Sequence, residues 1–264
     1  MARVLMCPPD HYDLRYEINA WMHLENKPDL PLAARQWRML YEQVQRLAQV
    51  ELVAPAPECP DMVFTANAGL MMGEKTVLLS RFRHPERQPE EPHFRRWFEE
   101  HGYTVLTMPE DCPFEGEGDI LWAGERYLAG YRKRTEMCAH RIAADILQQE
   151  VLSLELIDDR WYHLDTALFV LEAHTVVYYP GAFDPYARRV IEEHYHTLYV
   201  TQEEALRFAC NSVVIGNTVW MPDGCWLLKS LLERKGYSVV PIPMSEFIKS
   251  GGACKCLVMF LQRD

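Results

Sequence analysis

Cys256 ends the stretch Ser250-Gly-Gly-Ala-Cys-Lys-Cys256. A thiolate is a strong nucleophile, and an adjacent cation such as Lys255 favours the ionised form. Gly251 and Gly252 let the backbone approach a ligand closely or adopt positive φ. Cys254, two residues earlier, shares a face with Cys256 on a regular strand and is the rival nucleophile. His163 stands two residues before Asp165, and a histidine beside a carboxylate can exchange protons near neutral pH. Between positions 114 and 119 the run FEGEGD interleaves Glu115, Glu117 and Asp119 with glycines. Uncovered carboxylates suit a planar cation, because the N–H fork of a guanidinium pairs with two oxygens at once. The same acids repel phosphate, and no Gly-Lys-Ser/Thr follows to bind a nucleotide. No histidine or cysteine cluster has metal-ligand spacing, so neither a metal nor another cofactor is expected.

These residues are far apart in the chain, so repeated elements must bring them together. Apolar runs at 67–80, 118–131, 165–180 and 210–223 each carry a polar or glycine-bearing spacer, as a hairpin requires. A fifth run at 252–262 lacks turn residues. Segments with helical spacing (32–50, 92–102, 137–152, 184–196 and 225–236) separate the runs, and each leads into another short strand. The unit is strand–strand–helix–strand, repeated five times. Five copies must close on themselves or leave an exposed edge. The expected fold is therefore a closed ring of five ββαβ modules, with a plain open α/β sheet as the alternative. Asn67, Asp119, Asp165, Asn211 and Cys256 open the five runs at gaps of 52, 46, 46 and 45 residues. Equivalent positions in such a ring face one axis, so these five side chains are expected at one end of a central channel. The register also favours Cys256 over Cys254.

The formal charge of −11 gives no basic stripe for nucleic acid. No run of about 18 apolar residues exists to span a membrane, and the N-terminal residues have no signal-peptide pattern. The eight cysteines contain no CxxC pair, which predicts free thiols in a reducing compartment, the cytoplasm.

Taken together, Phe114-Glu115-Gly-x-Gly-Asp119, Tyr131-Arg-x-Arg134, His163-x-Asp165 and the Cys256 segment resemble the guanidino-group-modifying enzyme superfamily. It includes arginine deiminases, dimethylarginine dimethylaminohydrolases, amidinotransferases and arginine dihydrolases. The resemblance spans the chain and implies the pentein fold, a five-bladed α/β-propeller, as a single catalytic domain over residues 1–264. Asn19 in YEINAWM, the segment Met62–Asn67 and YHLDT (162–166) look most like the dihydrolase type that occurs at the front of cyanobacterial fusion proteins. Here no fused second domain is expected, and Glu117 replaces what is usually a small residue. Members that stop at citrulline commonly carry Asp where this chain has Asn67, and a neutral amide can hydrogen-bond a ureido group as well as a cation.

The resemblance implies that Asp165 and Asp119 pair with the guanidinium nitrogens of a small-molecule substrate while Cys256 attacks its central carbon. His163 then protonates departing ammonia, and Glu115 or Glu117 orients the imidazole. Water attacks the resulting S-alkylthiouronium. Arg87 and Arg134 are candidates for the substrate carboxylate. Arginine dihydrolase is the leading expectation. Dimethylarginine dimethylaminohydrolase or arginine deiminase comes second, and a non-enzymatic relative such as a ribosome anti-association factor third. Self-association into a homo-oligomer is compatible with all three.

Overall fold

The structure, a computed structural model, describes residues 1–263. Its strands are β1 (Ala2–Met6), β2 (Ala48–Leu52), β3 (Gly69–Met71), β4 (Thr76–Leu79), β5 (Thr104–Thr107), β6 (Ile120–Trp122), β7 (Tyr127–Tyr131), β8 (Val151–Glu155), β9 (Leu168–Glu172), β10 (Thr175–Tyr178), β11 (His196–Tyr199), β12 (Val213–Ile215), β13 (Thr218–Pro222), β14 (Ser238–Ile242) and β15 (Met259–Gln262). The helices are α1 (Leu30–Val44), α2 (Glu90–Glu100), α3 (Met137–Leu147), the short α4 (Leu164–Ala167), α5 (Pro185–His194), α6 (Gln202–Ala205), α7 (Trp226–Arg234) and α8 (Ser245–Ile248).

Four of the five three-stranded sheets have the expected form. An antiparallel hairpin is followed by a helix and then by a strand that pairs parallel to the hairpin's second member: β3-β4-β5, β6-β7-β8, β9-β10-β11 and β12-β13-β14. Each hairpin turns on one residue of positive φ: Gly73, Gly124, His174 or Gly216. Helix limits follow local chemistry. Asp29 and Asp184 cap α1 and α5 through their side chains, each with proline in the first turn. α3 stops five residues before its expected limit because Gln148 adopts φ +52.

The fifth blade corrects the expectation of a hairpin at 252–262. Its sheet is β15-β1-β2, with β15 antiparallel to the N-terminal strand, so the first and last strands close the ring. The 252–262 run has no turn because its partner lies at the other end of the chain. Innermost strands adjoin one another around the axis (β15 beside β3, β9 between β6 and β12), and apolar clusters fill the space between sheets and helices. A second correction concerns the thiols. Cys112 and Cys138 form a disulfide, while the other six cysteines are free and buried. The linked residues lie 26 apart in sequence, but Glu136 N–H donating to the Pro113 carbonyl brings their segments together. No helix among the described residues is long and apolar enough to cross a membrane.

Candidate active site

The five register residues lie just before the innermost strands; Asn67 and Asp165 sit in short helical turns, and Asp119 caps another. Asn211 is the hub on the Cys256 side. Its carbonyl oxygen accepts from the backbone N–H of Ala253 and of Cys256, both at 3.1 Å. Its amide N–H₂ donates to Cys256 Sγ at 3.1 Å and to the Asp165 carbonyl at 3.1 Å. Cys256 Sγ also lies 3.6 Å from Asp165 Oδ2. A buried thiol, a buried carboxylate and the amide between them thus form one unit, and of the two rival cysteines it is Cys256 that makes these contacts.

Glu115, fully buried, anchors the opposite wall. One carboxylate oxygen receives His163 Nε2 at 2.7 Å and Arg134 at 3.1 Å, and the other accepts the Arg83 backbone N–H at 3.2 Å. The imidazole is thereby fixed through Nε2, and among the described residues Nδ1 keeps no protein partner. Glu117 is turned away. It pairs with Lys255 at 3.1 Å and accepts the Phe260 N–H, so Glu115 is the acid on His163. Lys255 makes no hydrogen bond to the thiol, because its ammonium is engaged by Glu117 and by the Val258 carbonyl; its charge still favours the thiolate, as expected, but burial outweighs it.

The two arginines line one pocket. Arg87 forms a bidentate pair with Glu90 and donates to Asn67 Oδ1 at 2.8 Å, while Asn67 N–H₂ donates to the Glu115 carbonyl at 3.2 Å. Arg134 lies across the Tyr162 ring and donates to the Ile18 carbonyl. Asn19 closes the rim, donating to the Ser250 carbonyl at 3.1 Å. Asn19, Asn67, Arg87 and Arg134 line one narrow pocket with Asp61, Phe64, Tyr162 and Cys256. Asp119 does not line it. Its two oxygens accept from Leu164 N–H and the Thr135 hydroxyl, so Asp119 holds the His163–Asp165 turn instead of facing a ligand.

Two glycines are required here. A Cβ on Gly118 would meet Asn67 Nδ2 at 2.2 Å, and Gly251, at φ +81, would place one 2.8 Å from the Tyr162 hydroxyl. Sequence reading missed Asp61, the acid immediately before the Met62–Asn67 motif. It is buried, one carboxylate oxygen accepts from the Tyr16 hydroxyl, and the other has no partner. Only this adjacency pointed to it. Glu58, Cys59 and His93 bring possible metal ligands within 4.8 Å of one another, outside the residues that line this pocket.

Burial, together with Asp165, pushes the Cys256 thiol well up, so the resting group is protonated. Burial also raises Asp165 to about 7, against the opposing pull of Lys255. For Glu115 burial alone would act upward, but Arg134, His163 and Arg87 outweigh it and hold the group well below the carboxylate range. The site therefore has a fixed anion at Glu115 and a titrating one at Asp165. Below about pH 7 Asp165 takes up a proton and loses the charge that would balance a guanidinium. Consequently kcat/KM for a cationic substrate is expected to fall about tenfold per pH unit on that side, and Asp165→Asn to abolish the limb. Rates between about pH 5 and 9 check this; a profile flat through neutrality would contradict it.

The family profile for "N,N dimethylarginine dimethylhydrolase, eukaryotic" matches residues 18–263. The chain belongs to this family. Dimethylarginine dimethylaminohydrolase of Mycobacterium tuberculosis is 38% identical, over 97% of the chain and 85% of that protein. The bifunctional arginine dihydrolase/ornithine cyclodeaminase ArgZ of Synechocystis is 48% identical over 97% of the chain, which spans only 37% of ArgZ. The solved N-terminal domain of ArgZ, an asparagine-to-serine variant covalently bound to a reaction intermediate, superposes with a TM-score of 0.96 at 46% identity, covering 100% of this chain and 98% of that one. The same domain has been solved as a cysteine-to-serine variant bound to substrate. A dimethylarginine dimethylaminohydrolase from Pseudomonas aeruginosa, at 20% identity and TM-score 0.82 over 98% of both chains, shares the fold, the pentein propeller.

Proposed function

We propose that the chain is an arginine dihydrolase, converting arginine to ornithine, carbon dioxide and two molecules of ammonia. The observation that carries this reading is the amide at position 67, held between the Arg87 guanidinium and the Glu115 carbonyl. The substrate carboxylate is assigned to Arg87 and Arg134, and its ammonium to the unpartnered oxygen of Asp61. The guanidinium then reaches Asp165 and Cys256. Its positive charge stabilises the thiolate that burial disfavours, and the proton is lost as substrate enters. Attack on the central carbon forms a C–S bond, and His163 supplies the proton with which ammonia leaves. Water, deprotonated by His163, opens the thiouronium to citrulline. Citrulline's ureido group is neutral. Asn67 contacts it without an unbalanced buried anion, so it stays bound for a second round.

The 48% identity to ArgZ and the 46% identity to its solved domain support this reading over dimethylarginine hydrolysis. Parallel assays with arginine, citrulline and dimethylarginine test it. Wild type is expected to yield ornithine and two ammonia per arginine. Asn67→Asp is expected to shift the product to citrulline, with the second hydrolysis slowed on the order of 100-fold, because a carboxylate paired with Arg87 has no N–H to offer the ureido oxygen or the Glu115 carbonyl. Citrulline as the wild-type end product would overturn the dihydrolase reading, and dimethylamine from dimethylarginine would establish the alternative.

A further inference from the structure

On the proposed function, each turnover consumes two waters and expels two ammonia molecules at the guanidino carbon, while the amino-acid half of the substrate lies between Asn19, Arg87 and Arg134 in the front pocket. The front pocket is narrow, so a ligand seated between these residues fills it.

Behind Asp165 lies a second, small cavity with about 30 Å³ of room for water, lined also by Lys255, Ser212, Val214, Phe260 and Arg263. Asp165 is common to this cavity and to the Cys256 contact, with its carboxylate 3.6 Å from Sγ. The rear cavity shares Trp122, Phe260 and Arg263 with a larger outer recess of about 430 Å³, whose lining includes neither Arg87 nor Arg134. A line of polar groups runs between them. Arg263, its side chain 37% exposed, is 3.5 Å from Glu117; Glu117 holds Lys255 at 3.1 Å; and Lys255 lies in the cavity wall with Asp165. Such a line hydrogen-bonds water and ammonia in passing, and its ion pair blocks anything as large as citrulline.

We infer that the rear cavity is the route by which water reaches, and ammonia leaves, the reacting carbon while the amino-acid half of the substrate seals the front. The inference rests on the proposed function and adds to it a reason why citrulline need not be released between steps. The atoms balance as arginine plus two waters giving ornithine, carbon dioxide and two ammonia. No co-reactant is needed.

Two plugs test the route, Val214→Trp within the cavity and Arg263→Trp at its exposed rim, which does not endanger the core. Neither residue belongs to the catalytic or binding machinery. Each is expected to lower kcat about tenfold while arginine affinity, measured in a Cys256→Ser background, changes less than about twofold. A second readout is incorporation of isotopically labelled ammonium into arginine through the reversible first step, which should fall in parallel with kcat. Folded plugs with unchanged kcat and unchanged label exchange would overturn the route. Should Val214→Trp fail to fold, Arg263→Trp decides alone. A wild-type protein inert toward every guanidino compound would sink the functional reading instead, so the two failures are distinguishable.

Discussion

Replacing Cys256 by serine is expected to lower turnover of every guanidino substrate on the order of 10⁴-fold or more while leaving arginine bound. Serine keeps the size of the side chain and the acceptor that Asn211 N–H₂ reaches at 3.1 Å. Asp165, Arg87 and Arg134 are untouched, so the contacts assigned to ground-state binding survive. The variant loses the soft nucleophile that a bound guanidinium can ionise. A hydroxyl in the same buried position, next to the Asp165 carboxylate, stays protonated. Calorimetric titration should give near-wild-type arginine affinity, and acid-quenched mass spectrometry should find a covalent adduct on wild type alone. Retention of more than about 1% of the wild-type rate would remove Cys256 from the mechanism.

Glu115→Gln is expected to damage stability and rate together. Both oxygens of Glu115 accept from N–H groups: the Arg83 backbone at one, His163 and Arg134 at the other. An amide offers one acceptor, so whichever way glutamine is turned an N–H₂ meets an N–H. The fully buried Arg134 guanidinium also loses its counter-charge. Uncovering a buried charge costs about 3 kcal/mol or more, which lowers the melting temperature by roughly 5–10 °C. With the imidazole no longer fixed through Nε2, kcat should drop on the order of 10²-fold or more. The wild-type profile has a defined sign. A carboxyl held below its ordinary pKa stabilises the fold above that ordinary value, and the contribution is lost as pH falls through the depressed one. This stabilisation therefore persists through mildly acidic pH and disappears only in strong acid. A variant that melts with wild type would show that Glu115 is dispensable to the fold.

Much of this site could be read from residue spacing. Hairpin spacers and helical periodicity are local signals, so four blades and their order followed from the chain alone. The matched gaps carried Asn67, Asp165, Asn211 and Cys256 to one place because a ring turns equal spacing into convergence. What stayed hidden depended on contacts between distant segments. β1 carries no mark that its partner is β15. The Cys112–Cys138 bond depends on two loops meeting, which no CxxC spacing signals. Asp119 has the right chemistry at the right register and Lys255 adjoins the thiol, but their bonds to Leu164, Thr135, Glu117 and Val258 were not legible. Asp61 was hidden for the opposite reason: a lone acid beside a proline looks like a turn until its burial is known.

The pairing of the first and last strands has a consequence for biosynthesis. Cys256 lies three residues before β15, and β15 can dock on β1 only after every residue between them exists. Bridging so wide a sequence separation carries a loop-closure entropy that local hairpins avoid. A growing chain can complete its middle blades in turn, yet Cys256 is seated only when β15 docks on β1. Nascent and C-terminally clipped molecules would accordingly be chemically silent toward cellular guanidines.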